Sequence, residues 1–394
     1  MARIEQAIIL AAGEGQRLKP FTALRPKVML PIANKPILSY VVEAVAGNGI
    51  PGIIMVVGYK KEQVQDYFGS GERFGVSITY VTQKYQVGTA QALRVAQNAA
   101  TEGFLVLPGD NIIEPSTISG IVEAPLPTML TKRSDNVSKY GVVAVENGLV
   151  RKIAEKPREA TGNIVNTGIY VLGRGVFDFL KGEKDLTAAL QNMIVGGTAL
   201  HAEETAGPWL DVVYPWDILA LNSVALGRVQ SVTGGVVEAG CTTHGPVRIG
   251  EGSTIRSGSY LAGPLIIGQG CEIGPSACIG PSTSIGDNVS IGPFTYIVNT
   301  VIGDNVRIGP GSSLRDSVIG ADTELQGHFT ARSGAAAIEI DSELHHISMG
   351  AMVGDNCEVA DNVVIQPGIL VGNYCRVRPL RVVSENLPDR ALAA

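Results

Sequence analysis

The chain lacks most of what would tie it to a membrane, a nucleic acid or an oxidising compartment. Its five cysteines (Cys241, Cys271, Cys278, Cys357 and Cys375) are odd in number and show no C-x-x-C spacing, a pattern of reduced thiols expected of a cytoplasmic protein. No apolar run is long enough to span a bilayer. Arg3 and Glu5 precede only a strand-length apolar run with no small-residue cleavage site after it, so no signal peptide is indicated. Positive charge is not in excess: 31 Lys and Arg stand against 37 Asp and Glu, a net charge of −6. That balance argues against a nucleic-acid partner, while leaving local cations free to hold small anions. Two familiar phosphate loops are missing as well. Gly15 is followed by Gln-Arg-Leu-Lys-Pro, which satisfies neither the G-x-x-x-x-G-K-[ST] nor the G-x-G-x-x-G pattern. No Ser-His-Asp or Cys-His set suggests a side-chain nucleophile.

What the chain does have is concentrated at its start. Ile8-Ile9-Leu10-Ala11-Ala12-Gly13-Glu14-Gly15-Gln16-Arg17-Leu18-Lys19-Pro20 runs an apolar strand into a glycine turn, and Arg25-Pro26-Lys27 follows. Gly13 and Gly15 allow backbone N–H groups to approach phosphate oxygens with no Cβ between. Arg17 can grip phosphate with two parallel bonds, and Lys27 adds a movable point charge. These are the requirements for holding a flexible polyanion such as a nucleoside triphosphate.

Length and 45% hydrophobic content predict two domains with ample cores. Through about residue 230, strand-like runs (Ala7–Ala12, Ile53–Val57, Ile78–Val81, Phe104–Leu107) alternate with helical spacing over Ile37–Ala46, Lys61–Phe68 and Thr89–Ala99. That alternation predicts an α/β domain with a mostly parallel sheet, whose ligands lie at the carboxyl ends of the strands. Gly13, Gln83 and Asp110 all follow strand ends and are expected to converge. From 236 to about 380 the texture changes. Ile267, Ile273, Ile279, Ile285, Ile291 and Ile297 recur every six residues, the phase jogs at Asn299-Thr300, and it resumes through Ile302, Ile308 and Leu314, then Val353 to Val377. A hexapeptide repeat of this kind predicts a parallel β-helix. Residues 326–346 break the phase and read as a protruding loop, and 381–394 is set apart as a C-terminal tail whose short polar end, Ser384–Ala394, is expected to fray.

The string L-A-A-G-x-G-x-R-L-x-P followed by R-P-K resembles the signature of the sugar-1-phosphate nucleotidylyltransferases, the nucleotide-sugar pyrophosphorylases. The resemblance implies a Rossmann-like catalytic domain in which a sugar 1-phosphate oxygen attacks the α-phosphorus of a nucleoside triphosphate and releases pyrophosphate. Two anions must meet, so charge neutralisation, in-line positioning and Mg²⁺ replace a protein nucleophile. By this resemblance Leu10, Ala11, Ala12, Gly13 and Gly15 line the nucleotide, Arg17 grips the triphosphate, and Lys27 neutralises the α-phosphate or the sugar phosphate. Asp110, in Pro108-Gly109-Asp110-Asn111, is the expected Mg²⁺ ligand, with Asp211 of Trp209-Leu210-Asp211 as the second carboxylate. Gln83-Lys84-Tyr85-Gln86-Val87-Gly88-Thr89 resembles the base-reading loop. There the Gln83 amide suits uracil or thymine, while Gly88 and Thr89 open the following helix. Tyr140-Gly141, Glu155-Lys156-Pro157 and Asn166-Thr167-Gly168 match sugar-side positions in order along the chain.

The pairing of such a domain with hexapeptide repeats resembles archaeal bifunctional N-acetylglucosamine-1-phosphate uridylyltransferase/glucosamine-1-phosphate acetyltransferases and long glucose-1-phosphate thymidylyltransferases. It implies a left-handed hand for the β-helix and a homotrimer through it or a higher assembly. His328, in Gly327-His328-Phe329-Thr330, falls near the acetyltransferase base of those enzymes, yet Ala331-Arg332-Ser333-Gly334 departs from their pattern. His345-His346 reads as polar loop. UTP or dTTP with N-acetylglucosamine 1-phosphate or glucose 1-phosphate are the expected substrates. Mannose-1-phosphate guanylylation is the alternative that Gln83 disfavours. A non-catalytic regulatory role is disfavoured by the presence of Arg17, Lys27, Asp110 and Asp211 together.

Overall fold

The structure is a computed structural model that describes residues 4–393 except 136, 138–139, 156–161 and 342. The chain divides into two compact units. The first holds residues 1–14, 26–29 and 37–211; the second holds 15–25, 30–36 and 212–394.

The first unit is built on a nine-stranded sheet of β1 (Gln6–Ala11), β2 (Gly52–Val57), β3 (Ser77–Thr82), β4 (Gly103–Pro108), β5 (Thr128–Arg133), β6 (Val142–Glu146), β7 (Leu149–Ala154), β8 (Ile164–Gly173) and β9 (His201–Glu204). Its spatial order is β3-β2-β1-β4-β8-β5-β9-β7-β6. β3, β2, β1 and β4 are mutually parallel, and β8 then runs antiparallel to both β4 and β5. Side chains alternate across β1, so its two faces enter different cores. Ala7, Ile9 and Ala11 pack with helix Ile37–Gly47, whereas Ile8 and Ala12 pack with Ala90, Leu93, Ala189 and Leu190. The chain leaves β1 for β2 on one side and returns to β4 on the other. Leu10 pairs with Pro108 across that reversal. It is the topological switch point, where open α/β sheets bind ligands.

The second unit is dominated by three sheets of eight, nine and eight strands, every pairing parallel. Val247 pairs with Leu265 and Leu265 with Thr283, eighteen residues per coil, or three six-residue sides. This is the expected left-handed parallel β-helix. The repeating Ile, Val and Leu fill its interior with Cys271, Cys357 and Cys375 among them. Corners at Ser276, Ser282, Asn288 and Phe294 all carry a positive φ of 54–60°, so the sixfold period is also a period of left-handed backbone. The jog at Asn299 is a coil one residue shorter: Ser284 pairs with Val301.

Three features differ from the sequence-based expectations. Glu324–Leu325 and Thr330–Ala331 still belong to the prism, so the phase break begins later than residue 326. The insertion is an antiparallel hairpin of Gly334–Ile340 with Glu343–Met349, after which Val318 finds its next neighbour at Met352. The end does not hang loose, because Val382–Val383 and Leu392–Ala393 pair onto the preceding coils. Helix Asp217–Leu226, expected within the first domain, belongs to the second unit. The reason is a buried polar cluster around Asn222. Its Oδ1 accepts from Ser284 at 2.8 Å and from the Ala33 N–H at 2.9 Å, and its Nδ2 donates to the Ser282 carbonyl at 3.0 Å. Among the described residues no helix is long and apolar enough to cross a membrane.

Candidate active site

In the first unit the glycine loop and the acidic strand end meet at the switch point. The Gly109 N–H donates to the Leu10 carbonyl at 2.9 Å, which sets Asp110 beside the Ala12–Gly13 turn. A Cβ at Gly13 would meet no atom of the described residues within 4 Å. The fold itself therefore does not require a glycine there, and open space for a ligand remains beside the backbone.

Asp110 is followed by strand Asn111–Ile113, which pairs antiparallel with Trp209–Asp211, placing Asn111 opposite Asp211. A threonine holds this small sheet in place. Thr117 Oγ1 accepts from the Glu114 N–H at 3.0 Å and donates to the Pro208 carbonyl at 2.7 Å. The result brings three expected site residues together. Lys27 Nζ lies 2.5 Å from Asp110 Oδ2 and 3.7 Å from Asp211 Oδ1, with all three side chains largely withdrawn from solvent. Burial alone would push the Lys27 ammonium down, but the charges of Asp110 and Asp211 outweigh it and the net shift is upward. Lys27 is thus held as a cation.

Asn111 was not singled out in the sequence. Its Oδ1 is buried with no hydrogen-bond partner among the described residues, and only its position next to Asp110 could have signalled it. Among the described residues no group of three or more His, Cys, Asp or Glu is assembled. A divalent cation here would rest on two carboxylates and complete its shell from phosphate and water. That is the habit of Mg²⁺, and the all-oxygen donor set of Asp110, Asp211 and Asn111 fits it.

The loop expected to read the base, Gln83–Thr89, lies along the same edge. The Gln83 N–H donates to the Val57 carbonyl at 2.8 Å, and the Gln83 side chain is buried, its amide donating to the Gly88 carbonyl at 3.2 Å and to Gln91 Oε1. A Cβ at Gly58 would lie 2.8 Å from Gln86 Nε2 and 2.9 Å from the Ala12 carbonyl, so this loop folds against the glycine turn. Gly88, at φ +146°, is fixed by packing, since a Cβ would lie 2.2 Å from the Lys184 carbonyl. Thr89 Oγ1 accepts from the Leu186 N–H at 2.9 Å, so its hydroxyl joins two helices.

Most of the residues expected on the sugar side form a second cluster. A Cβ at Gly141 would sit 3.0 Å from Glu155 Oε2 and 3.8 Å from Asn166 Cβ, and the Asn166 N–H donates to the Gly141 carbonyl at 2.8 Å. Tyr140 packs on Trp209 with ring centroids 4.8 Å apart. Asn166 donates to the Tyr170 hydroxyl at 2.7 Å, and Thr167 to the Leu130 carbonyl at 2.7 Å. The Thr167 hydroxyl is thereby committed to the fold. Lys156 lies outside the described residues.

Gly15 and Arg17 belong to the second unit. Gly15, at φ +76°, turns the chain into the short helix Gln16–Leu18, and its carbonyl accepts from Thr22 Oγ1 at 2.7 Å. Arg17 Nε lies 2.5 Å from Asp341 Oδ2. Arg25, which the motif places beside Lys27, instead reaches Asp355 at 2.5 Å, and Asn373 Nδ2 donates to the Pro20 carbonyl at 3.0 Å. His328 occupies an exposed corner of the β-helix at φ +59°, over Gly311 of the preceding coil.

Residues 6–225 match the nucleotidyl transferase family, more than half of the chain, and the protein belongs to that family. Residues 261–335 match the GMPPB C-terminal domain. Among curated relatives, the bifunctional protein GlmU of Methanococcus maripaludis is 40% identical over 257 residues, 63% of this chain and 61% of that protein. The chain thus spans about three-fifths of the length of that relative. The UTP–glucose-1-phosphate uridylyltransferase AglF of Haloferax volcanii is 33% identical, covering 54% of this chain and 93% of that one. A crystal structure from Bacillus anthracis, assigned as a glucose-1-phosphate thymidylyltransferase, aligns with a TM-score of 0.52 at 29% identity, over 56% of this chain and 95% of the other.

Proposed function

We propose that the chain transfers a nucleotidyl group from UTP or dTTP to a sugar 1-phosphate, N-acetylglucosamine 1-phosphate or glucose 1-phosphate, releasing pyrophosphate. The observation that carries this reading is the Lys27 ammonium drawn to Asp110 and Asp211 at a strand end beside a glycine turn open to ligand. A sugar phosphate oxygen forms a bond to the α-phosphorus as the bond to the departing pyrophosphate breaks. Lys27 lowers the repulsion between the two anions, and Arg17 takes negative charge from the triphosphate. Asp110 and Asp211, with Asn111 beside them, would hold Mg²⁺, which when bound polarises phosphate oxygens. The buried Gln83 positions the base loop, while Tyr140, Gly141, Glu155 and Asn166 border the sugar. The nucleotidyl transferase family match and the uridylyltransferase name of the AglF relative support the reaction class.

We propose a cytoplasmic homotrimer, joined through the sheet whose outward column runs Tyr260, Cys278, Tyr296, Ser313, Thr330, Val364 and Val382. None of these seven is charged, and Tyr260, Tyr296 and Val382 are exposed. Sizing by light scattering tests the assembly. The test of function is pyrophosphate release across UTP, dTTP, GTP and CTP against glucose, N-acetylglucosamine, glucosamine and mannose 1-phosphates with Mg²⁺. A UTP or dTTP row is expected. A GTP–mannose maximum would favour the guanylyl reading, and a blank grid would overturn transfer altogether.

A further inference from the structure

The hairpin inserted into the β-helix is a foreign body in a regular solenoid, and its residues are placed to a purpose. It begins at Gly334 and ends at Met349, and its removal would return the coil between Val318 and Met352 to the eighteen-residue period. Its stem is anchored: Ile338 is buried, and His345 packs on Tyr214 and Trp216 with ring centroids 4.5 and 5.3 Å away. Ile340 pairs with Glu343, so Asp341 stands at the turn, at φ +53°. From there its carboxylate meets the Arg17 guanidinium at 2.5 Å, and both side chains remain about half exposed.

We propose that Asp341 is a gating residue for the nucleoside triphosphate: in the free protein it occupies the arginine that the triphosphate must claim. The inference rests on the reading of Arg17 as a triphosphate ligand. An exposed ion pair is weak and exchanges readily, so the carboxylate delays no chemistry. It lowers the fraction of protein whose Arg17 is free, and the apparent affinity for triphosphate falls by that fraction. A polyanion displaces a single carboxylate, after which Asp341 takes no part. Its effect belongs in KM for the triphosphate and not in kcat. The neighbouring Glu343 strengthens the competition, because it adds a second negative charge to the surroundings of Arg17.

The test compares wild type, Asp341→Asn, Arg17→Ala, the double variant, and a chain in which residues 334–349 are deleted so that Ser333 joins Gly350. UTP affinity is read by calorimetry and KM by pyrophosphate release. Asp341→Asn and the deletion should each tighten UTP about two- to fivefold with kcat within twofold of wild type. In the Arg17→Ala background Asp341→Asn should change nothing. Unmoved UTP affinity in Asp341→Asn, or an equal shift with and without Arg17, overturns the gate. Turnover with an unmoved KM overturns the gate alone, whereas absence of binding and turnover with both UTP and dTTP in every variant overturns the parent reading with it.

Discussion

Lys27 answers to two carboxylates at once, and this decides what its loss would do. Replacing it by Met leaves Asp110 and Asp211 facing each other without the cation drawn to both and removes the charge that receives the incoming phosphate. Lys27→Met and Asp110→Ala should each reduce kcat at least about a hundredfold. Steady-state pyrophosphate release checks this, with circular dichroism confirming the fold. At the same scale, Cys357 in the interior of the β-helix has its thiol pushed up to about 12, chiefly by burial. Its unfolded value is about 8.5. The folded value is raised, so the stability Cys357 contributes is fully present below pH 8.5 and lost as pH rises toward 12, at no more than about 1.4 kcal/mol per pH unit. Urea midpoints should therefore fall less between pH 9 and 11 in Cys357→Val than in wild type. Parallel curves would show that the thiol is not the titrating group.

At the level of elements, the β-helix is a stack in which each coil supports only its neighbours. Ile297 is fully buried and pairs with Ile279 below and Leu314 above. Ile297→Ala should cost about 2–5 kcal/mol, read as a lowered thermal or urea midpoint. Such positions were legible in the sequence because one aliphatic residue in six marks the interior of every coil. The jog at Asn299 was equally plain, since a shortened coil shifts the phase by one. The first four strands of the main sheet, β1 to β4, were legible for a similar reason, as apolar runs ended by Gly, Gln or Pro-Gly-Asp, whereas β5 to β9 were not singled out. The hairpin was not. Its Ala335-Ala336-Ala337 stretch carries no alternation, and the prism it interrupts continues through Thr330–Ala331. The tail was misread for want of signal: Leu392–Ala393 is a single rung without a following repeat. Within the site, the order of Lys27, Asp110 and Asp211 was readable as a motif. The partners of Arg17 and Arg25 were not, because contacts hundreds of residues apart leave no local pattern.

For the whole molecule, the unexpected fact is that Gly15–Arg25, the segment carrying Arg17, is compact with the β-helix. A cut near residue 230 therefore divides a folded unit. The bond that tests this is Arg25 to Asp355. The Asp355 carboxylate is almost fully buried in a corner of the β-helix, where Oδ1 accepts from the Ala321 N–H at 2.9 Å and Oδ2 meets Arg25. Asp304 holds the equivalent corner place, accepting from the Asp287 N–H at 2.8 Å. It is exposed, and it forms no ion pair among the described residues. The two aspartates thus share the backbone task and differ in the arginine. Asp304→Ala should lose only a backbone hydrogen bond, about 1 kcal/mol, with KM for the triphosphate unchanged. Asp355→Ala strands the Arg25 charge as well and should cost about 3 kcal/mol. It should also raise KM for UTP severalfold, since the segment that presents Arg17 loses its anchor. Equal effects of the two substitutions on stability and KM would mean that the β-helix merely adjoins this segment and does not hold it.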